Sequence, residues 1–153
     1  MSFQKKIDEL KIKLPEAKPP VGSYVATKIT GNLLFISGQI SINENGELIK
    51  GKVGKDLDTE AGYNAAKRCA LSIVAQLKKA CNDDLSKVKS CVKLTGFVNS
   101  TPEFTEQPLV INGASDLMGS VLGEAGKHAR VAVSANSLPL GVAVEIDGIF
   151  QIA

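Results

Sequence analysis

The most regular pattern in this chain is an apolar stripe: Ala66, Cys69, Ala70, Ile73, Val74 and Leu77 recur at steps of three and four. That interval returns side chains to one face of a helix. Asp58 or Thr59 can cap the free backbone N–H groups at its start, and Glu60 suits the positive end of the helix dipole. Cys69 and Cys81 fit here as packing thiols rather than nucleophiles. A shorter stripe, Phe3, Ile7 and Leu10, predicts a helix over residues 3–13. Pro15, Pro19 and Pro20 then force an extended lead-in.

Elsewhere the period changes to two. Ser23–Thr30 and Asn32–Ile42 read as strands of a hairpin turning at Gly31-Asn32, and residues 43–57 as a loop with a tight turn at Asn45-Gly46. Val88–Asn99 reads as a long strand with Val88, Ser90, Val92, Leu94, Gly96 and Val98 on one face. Leu109–Leu122 predicts a second long helix, with Pro108 at its first position, Gly113 and Gly119 weakening it locally, and Gly123 and Gly126 ending it. Arg130–Ala135 and Gly141–Ala153 complete the strands. The order strand, strand, helix, strand, helix, strand, strand predicts an α+β fold: a mixed sheet with two helices packed on one face. Val92, Leu94, Val133 and Val144 give that sheet more apolar surface than two helices cover, so self-association is expected.

Composition narrows the picture without redirecting it. The 153 residues suit one domain with its own core, and 5% aromatics with no Trp leave that core to aliphatic residues. A net charge of +2 is too mild to indicate nucleic acid, and the N-terminal lysines are interrupted by Asp8 and Glu9. Three cysteines without CxxC spacing and a single histidine do not make a zinc site, so no metal is expected. No apolar run reaches the roughly 18 residues of a membrane span, and no signal peptide is evident, so the cytoplasm is the expected location. GxGxxG and GxxxxGK[ST] are both missing, so no nucleotide cofactor is expected.

Two residues stand out chemically. Arg130 follows the glycine-containing run Gly126-Lys127-His128-Ala129, where a guanidinium could grip a carboxylate by two parallel hydrogen bonds or simply face solvent. Glu145 interrupts an apolar strand, and alternation sets Glu145 and Asp147 opposite Val142, Val144 and Ile146. Such a carboxylate meets solvent, pairs with a cation, or activates water. His128, the lone histidine, reads as an unremarkable loop residue.

Taken together, several segments carry a resemblance. Gly22-Ser23-Tyr24 with Leu34-Phe35-Ile36-Ser37-Gly38-Gln39-Ile40 resembles the N-terminal hairpin of the Rid (YjgF-like) imine/enamine deaminase family. Cys91–Val98 resembles its central strand, and Ala129-Arg130-Val131-Ala132-Val133 with Leu138-Pro139-Leu140-Gly141-Val142-Ala143-Val144-Glu145-Ile146 resembles its C-terminal signature. The likeness divides the chain into an N-terminal helix and proline-rich lead-in, residues 1–19, and a Rid/YjgF-like domain, residues 20–153. It implies a chorismate-mutase-like fold assembled as a homotrimer around a central barrel, with clefts between subunits. The implied activity is cofactor-independent hydrolysis of 2-imino or 2-enamino acids to 2-keto acids and ammonia. By the same resemblance Arg130 binds the substrate carboxylate, Glu145 serves the attacking water, and Tyr24 lines the pocket. Ser37, Gly38, Asn112 and Ala132 complete the binding walls.

The chain departs from the family pattern in places. Ala132 stands where many members carry cysteine, the signature has an extra residue in Ala135-Asn136-Ser137, and the Ser100–Gln107 loop is longer. These features resemble a longer, less characterised branch. The alternatives are a non-catalytic trimer that binds small carboxylates and, behind it, an endoribonuclease. The latter ranks lower because the chain has one histidine, no basic stripe and no set of stacking aromatics. A chorismate mutase would rest on fold analogy alone.

Overall fold

In the computed structural model, which describes residues 2–153, the expected order of elements holds. Met1, the first residue of the lead-in, lies outside the described residues. α1 spans Phe3–Glu9, β1 Thr27–Thr30, β2 Leu33–Ile40, α2 Thr59–Ala80, β3 Val88–Asn99, α3 Gln107–Leu122, β4 Ala129–Ala135 and β5 Val144–Ile152. The five strands lie in the order β1-β2-β5-β3-β4, all antiparallel neighbours except the parallel pair β3–β4. α2 and α3 cover one face, and α1 packs against α3.

Asp58 caps α2 by accepting from the Ala61 N–H at 2.8 Å, with Glu60 in the first turn and Lys78 and Lys79 in the last. Ala66, Cys69, Ala70, Ile73, Val74 and Leu77 are all buried, so the stripe forms the core face. Truncating Ile73 or Leu77 to Ala there would cost roughly 2–5 kcal/mol. α3 approaches α2 at Gly113, where a Cβ would lie 2.0 Å from the Tyr63 carbonyl oxygen. The glycine that weakens α3 as a helix is therefore what lets the two helices touch.

Several boundaries moved, each for a local reason. α1 ends at Glu9 because Lys11 takes a left-handed φ of 54°, so the expected helix to residue 13 is cut short. Ser23–Ala26 fall outside β1: Gly22 has φ 142° and the chain bends there, though Ser37 still reaches back to donate from its hydroxyl to the Val25 carbonyl. α3 starts two residues earlier than expected, at Gln107. β5 starts at Val144 because Leu140 and Gly141 both adopt positive φ in a preceding turn. Gly31-Asn32 and Asn45-Gly46 form turns as expected.

The long strand β3 corrects the expected alternation. Two register shifts against β5, between Val88 and Ser90 and between Cys91 and Lys93, each insert one residue into β3. Val88, Leu94 and Val98 keep the buried side expected of them, but between the shifts Cys91 is buried instead and Val92 turns outward, 38% exposed. Of the four residues expected to carry the apolar surplus, Leu94 and Val144 lie fully buried beneath the helices, whereas Val92 and Val133 stay exposed and Phe35 and Val131 join them. Phe35, Val131 and Val133 are 39%, 41% and 41% exposed on the face that carries no helices.

Candidate active site

β5 places Glu145 by simple alternation. Val144 and Ile146 are fully buried toward the helices, so Glu145 and Asp147 point to the bare face. Beside it, β2 bulges: Ile36 pairs with Gly148 but Gln39 with Ile146, which leaves one extra residue at Ser37-Gly38. Bulges of this kind re-aim neighbouring groups next to sites. The bulge brings Gly38 so close that a Cβ there would sit 2.1 Å from Glu145 Oε2. Tyr24, Ser37, Gly38 and Glu145 line one cleft of about 620 Å³, whose other walls include Pro20, Ile40, Pro139 and Leu140.

Glu145 accepts no hydrogen bond from the described residues. Half-burial among apolar neighbours, and then the charge of Asp147, raise its pKa above the ordinary glutamate value. Asp147 is raised too, by burial, with partial relief from a Thr95 hydrogen bond and from Lys93. A carboxyl whose pKa is raised in this way holds a proton more readily than an ordinary glutamate and is suited to take one and return it.

Arg130 faces the other way. In the parallel register Arg130 pairs with Leu94 and Ala132 with Gly96. Leu94 is fully buried, and a Cβ on Gly96 would strike Ile111 of α3 at 2.5 Å, so this side of β4 faces the helices. Arg130 Nη1 donates to Asn112 Oδ1 at 2.7 Å and to Ser115 Oγ at 3.1 Å, both on α3. Ser115 Oγ in turn lies 2.8 Å from His128 Nε2, and His128 Nδ1 lies 2.6 Å from the Gly126 carbonyl oxygen. Ala132 sits further along β4, partly buried against the core.

One chain thus holds two clusters. Arg130 and Asn112 come together, and Tyr24, Ser37, Gly38 and Glu145 come together, but the clusters occupy opposite faces of the sheet. Sequence reasoning named both sets and missed Ser115. The spacing Asn112, Ser115, Gly119 on one face of α3 was the available signal. No group of three or more His, Cys, Asp or Glu residues placed to hold a metal occurs among the described residues. No helix among them is long and apolar enough to cross a membrane.

Residues 5–147, which include every residue of both clusters, match the family described as "YjgF/chorismate_mutase-like, putative endoribonuclease". The chain belongs to the YjgF/Rid family. Among YjgF-like relatives, Protein TCP17 of Trypanosoma cruzi is 46% identical over 147 residues, 95% of this chain and 91% of that protein. The crystal structure of a protein of unknown function from Agrobacterium tumefaciens shares 48% identity with a TM-score of 0.91, covering 99% of this chain and 92% of that one. A structure from Shewanella oneidensis described as a "putative endoribonuclease" shares 30% identity with a TM-score of 0.94, covering 99% and 100% of the two chains. The YjgF-like mixed sheet with its helices on one face is therefore the fold of this chain.

Proposed function

We propose that this protein is a cofactor-independent hydrolase of 2-imino or 2-enamino acids, working as a homotrimer at clefts between subunits. The observation that carries this reading is Glu145: a half-buried carboxyl with a raised pKa and no hydrogen bond from the described residues, on the wall of a cleft. In the proposed reaction Arg130 grips the substrate carboxylate and Glu145 takes a proton from water as the oxygen attacks the imine carbon. That proton passes to the nitrogen, giving a carbinolamine; the carboxyl then moves the carbinolamine's hydroxyl proton to the nitrogen as the C=O bond forms and the C–N bond breaks, so ammonia leaves with a 2-keto acid as product. Tyr24 and Ser37 border the same space and supply hydroxyls to orient water or substrate.

The opposite facing of Arg130 and Glu145 supports a shared site, because only a second subunit can bring an arginine to the glutamate's side of the sheet. Exposed Phe35, Val131 and Val133 supply the apolar face such an assembly would bury. A cytoplasmic location fits a chain with three free cysteines.

The test is to generate 2-imino acids in place with an amino-acid oxidase and follow their decay with and without the protein. Faster decay supports the hydrolase. Unchanged decay with retained binding of 2-keto acids transfers the site to a carboxylate-binding trimer, and cleavage of RNA without imine turnover would favour the nuclease reading. Sedimentation should give a species of three times 16.1 kDa; a stable monomer would sink the shared site.

A further inference from the structure

Donor and acceptor accounting around Arg130 fixes more than its location. The Gly126 carbonyl oxygen has no hydrogen to give, so His128 Nδ1, 2.6 Å away, must carry the proton. In the neutral ring Nε2 is then an acceptor, and the Ser115 hydroxyl 2.8 Å away must donate to it. With its hydrogen committed, Ser115 Oγ is left to accept from Arg130 Nη1 at 3.1 Å. Nη1 has two hydrogens, and the second goes to Asn112 Oδ1 at 2.7 Å. Every donor in the chain from Nη1 to Gly126 has a single consistent direction.

We infer that Ser115 and His128 are positioning residues that, with Asn112, occupy the Nη1 end of Arg130 and leave its Nε–Nη2 edge as the surface offered to an anion. The Nε–H and the Nη2 hydrogens make no hydrogen bond to the described residues. That edge still carries two parallel N–H groups, the fork that matches a carboxylate. A guanidinium held at one end loses less rotational freedom when a ligand arrives at the other. Besides Arg130, the one other lysine or arginine lining the same hollow is Lys127, which is itself paired with Glu124 at 3.0 Å. No carboxylate from α3 or β4 therefore competes for the open edge within that lining. The edge's role as the substrate anchor rests on the proposed function; the hydrogen-bond cassette itself does not.

The experiment uses the full-length protein labelled with nitrogen-15. Long-range proton–nitrogen NMR should find neutral His128 protonated on Nδ1; protonation on Nε2 overturns the cassette without any mutation. Exchange between the Arg130 Nη groups should be slow in the wild type and clearly faster in Ser115→Ala; equal rates in the two proteins also overturn it. Affinity for 2-oxobutanoate, a 2-keto acid, should fall about three- to tenfold in Ser115→Ala, the effect of one lost hydrogen bond. Ser115→Thr, which keeps the hydroxyl, should restore it to within about twofold. If the wild type binds no 2-keto acid, the proposed function falls, and the tautomer and the guanidinium exchange still decide the cassette.

Discussion

The two half-sites are built on contrary plans. Arg130 is held in a closed circuit of hydrogen bonds running through α3 to the turn before β4. Glu145 is held by none, only by the pleat of β5 and the close backbone of Gly38. The cationic half is oriented before any ligand arrives. The acidic half is left with unspent hydrogen-bonding capacity and an elevated pKa, which is what a group that handles protons requires. In the proposed reaction, orientation and reactivity would thus fall to different faces of one sheet.

The sharpest way to break this comparison is at the oriented half. Arg130→Lys should lower kcat/KM for 2-imino acids about a hundredfold or more, because an ammonium cannot reproduce a two-point grip. Sedimentation of the variant should be unchanged, and full retained activity would end Arg130's role as anchor. On the reactive half, Glu145→Gln should lower kcat by about a hundredfold, the scale of a lost general base.

The same variant has a pH signature. The folded-state pKa of Glu145 is raised, so the folded protein holds this proton more tightly than the unfolded chain does. The stabilising effect is full below the unfolded value and is lost as pH rises through the folded one. Glu145→Gln should therefore remove part of the fall in stability on going from acid toward neutral pH, and denaturant titrations at both ends of that window would show it. Wild-type activity should likewise rise at a pH above the ordinary glutamate range.

A smaller effect is expected where the halves are separated most cleanly. Gly38→Ala should push the carboxylate aside and cost about tenfold in kcat with little change in stability, since the displaced atoms are the free end of a side chain. Ala132→Cys, on the helix side of β4, should change activity less than about tenfold, or about 1.4 kcal/mol of barrier. A larger change there would mean that the side chain itself shapes the chemistry.

What the sequence revealed of this arrangement depended on whether one period governed a segment. The α2 stripe is read directly, because 22 residues share a single helical repeat. The facing of Glu145 follows from the unbroken alternation of Val144 to Phe150. β3 defeats the same reasoning only between its two inserted residues, which leave the local composition unchanged while burying Cys91 in place of Ser90 and Val92. The facing of Arg130 was not legible, because it depends on a parallel pairing with β3 that no local pattern records. His128 looked ordinary alone; its partner Ser115 lies 13 residues away on another element. Periodicity could not single out Tyr24, Ser37, Gly38 and Asn112; only the family resemblance pointed to them, as expected site residues.

The three cysteines also give the protein a set of internal clocks. Cys69, Cys81 and Cys91 are buried and unpaired, and burial raises the pKa of all three thiols, that of Cys91 to about 12. A thiol so placed reacts with an alkylating dye only while the structure around it is open. Cys69 lies midway along α2, Cys81 at its end, and Cys91 between the two bulges of β3. The order in which they become labelled would therefore trace where the molecule opens first, with no residue needing to be introduced for the purpose.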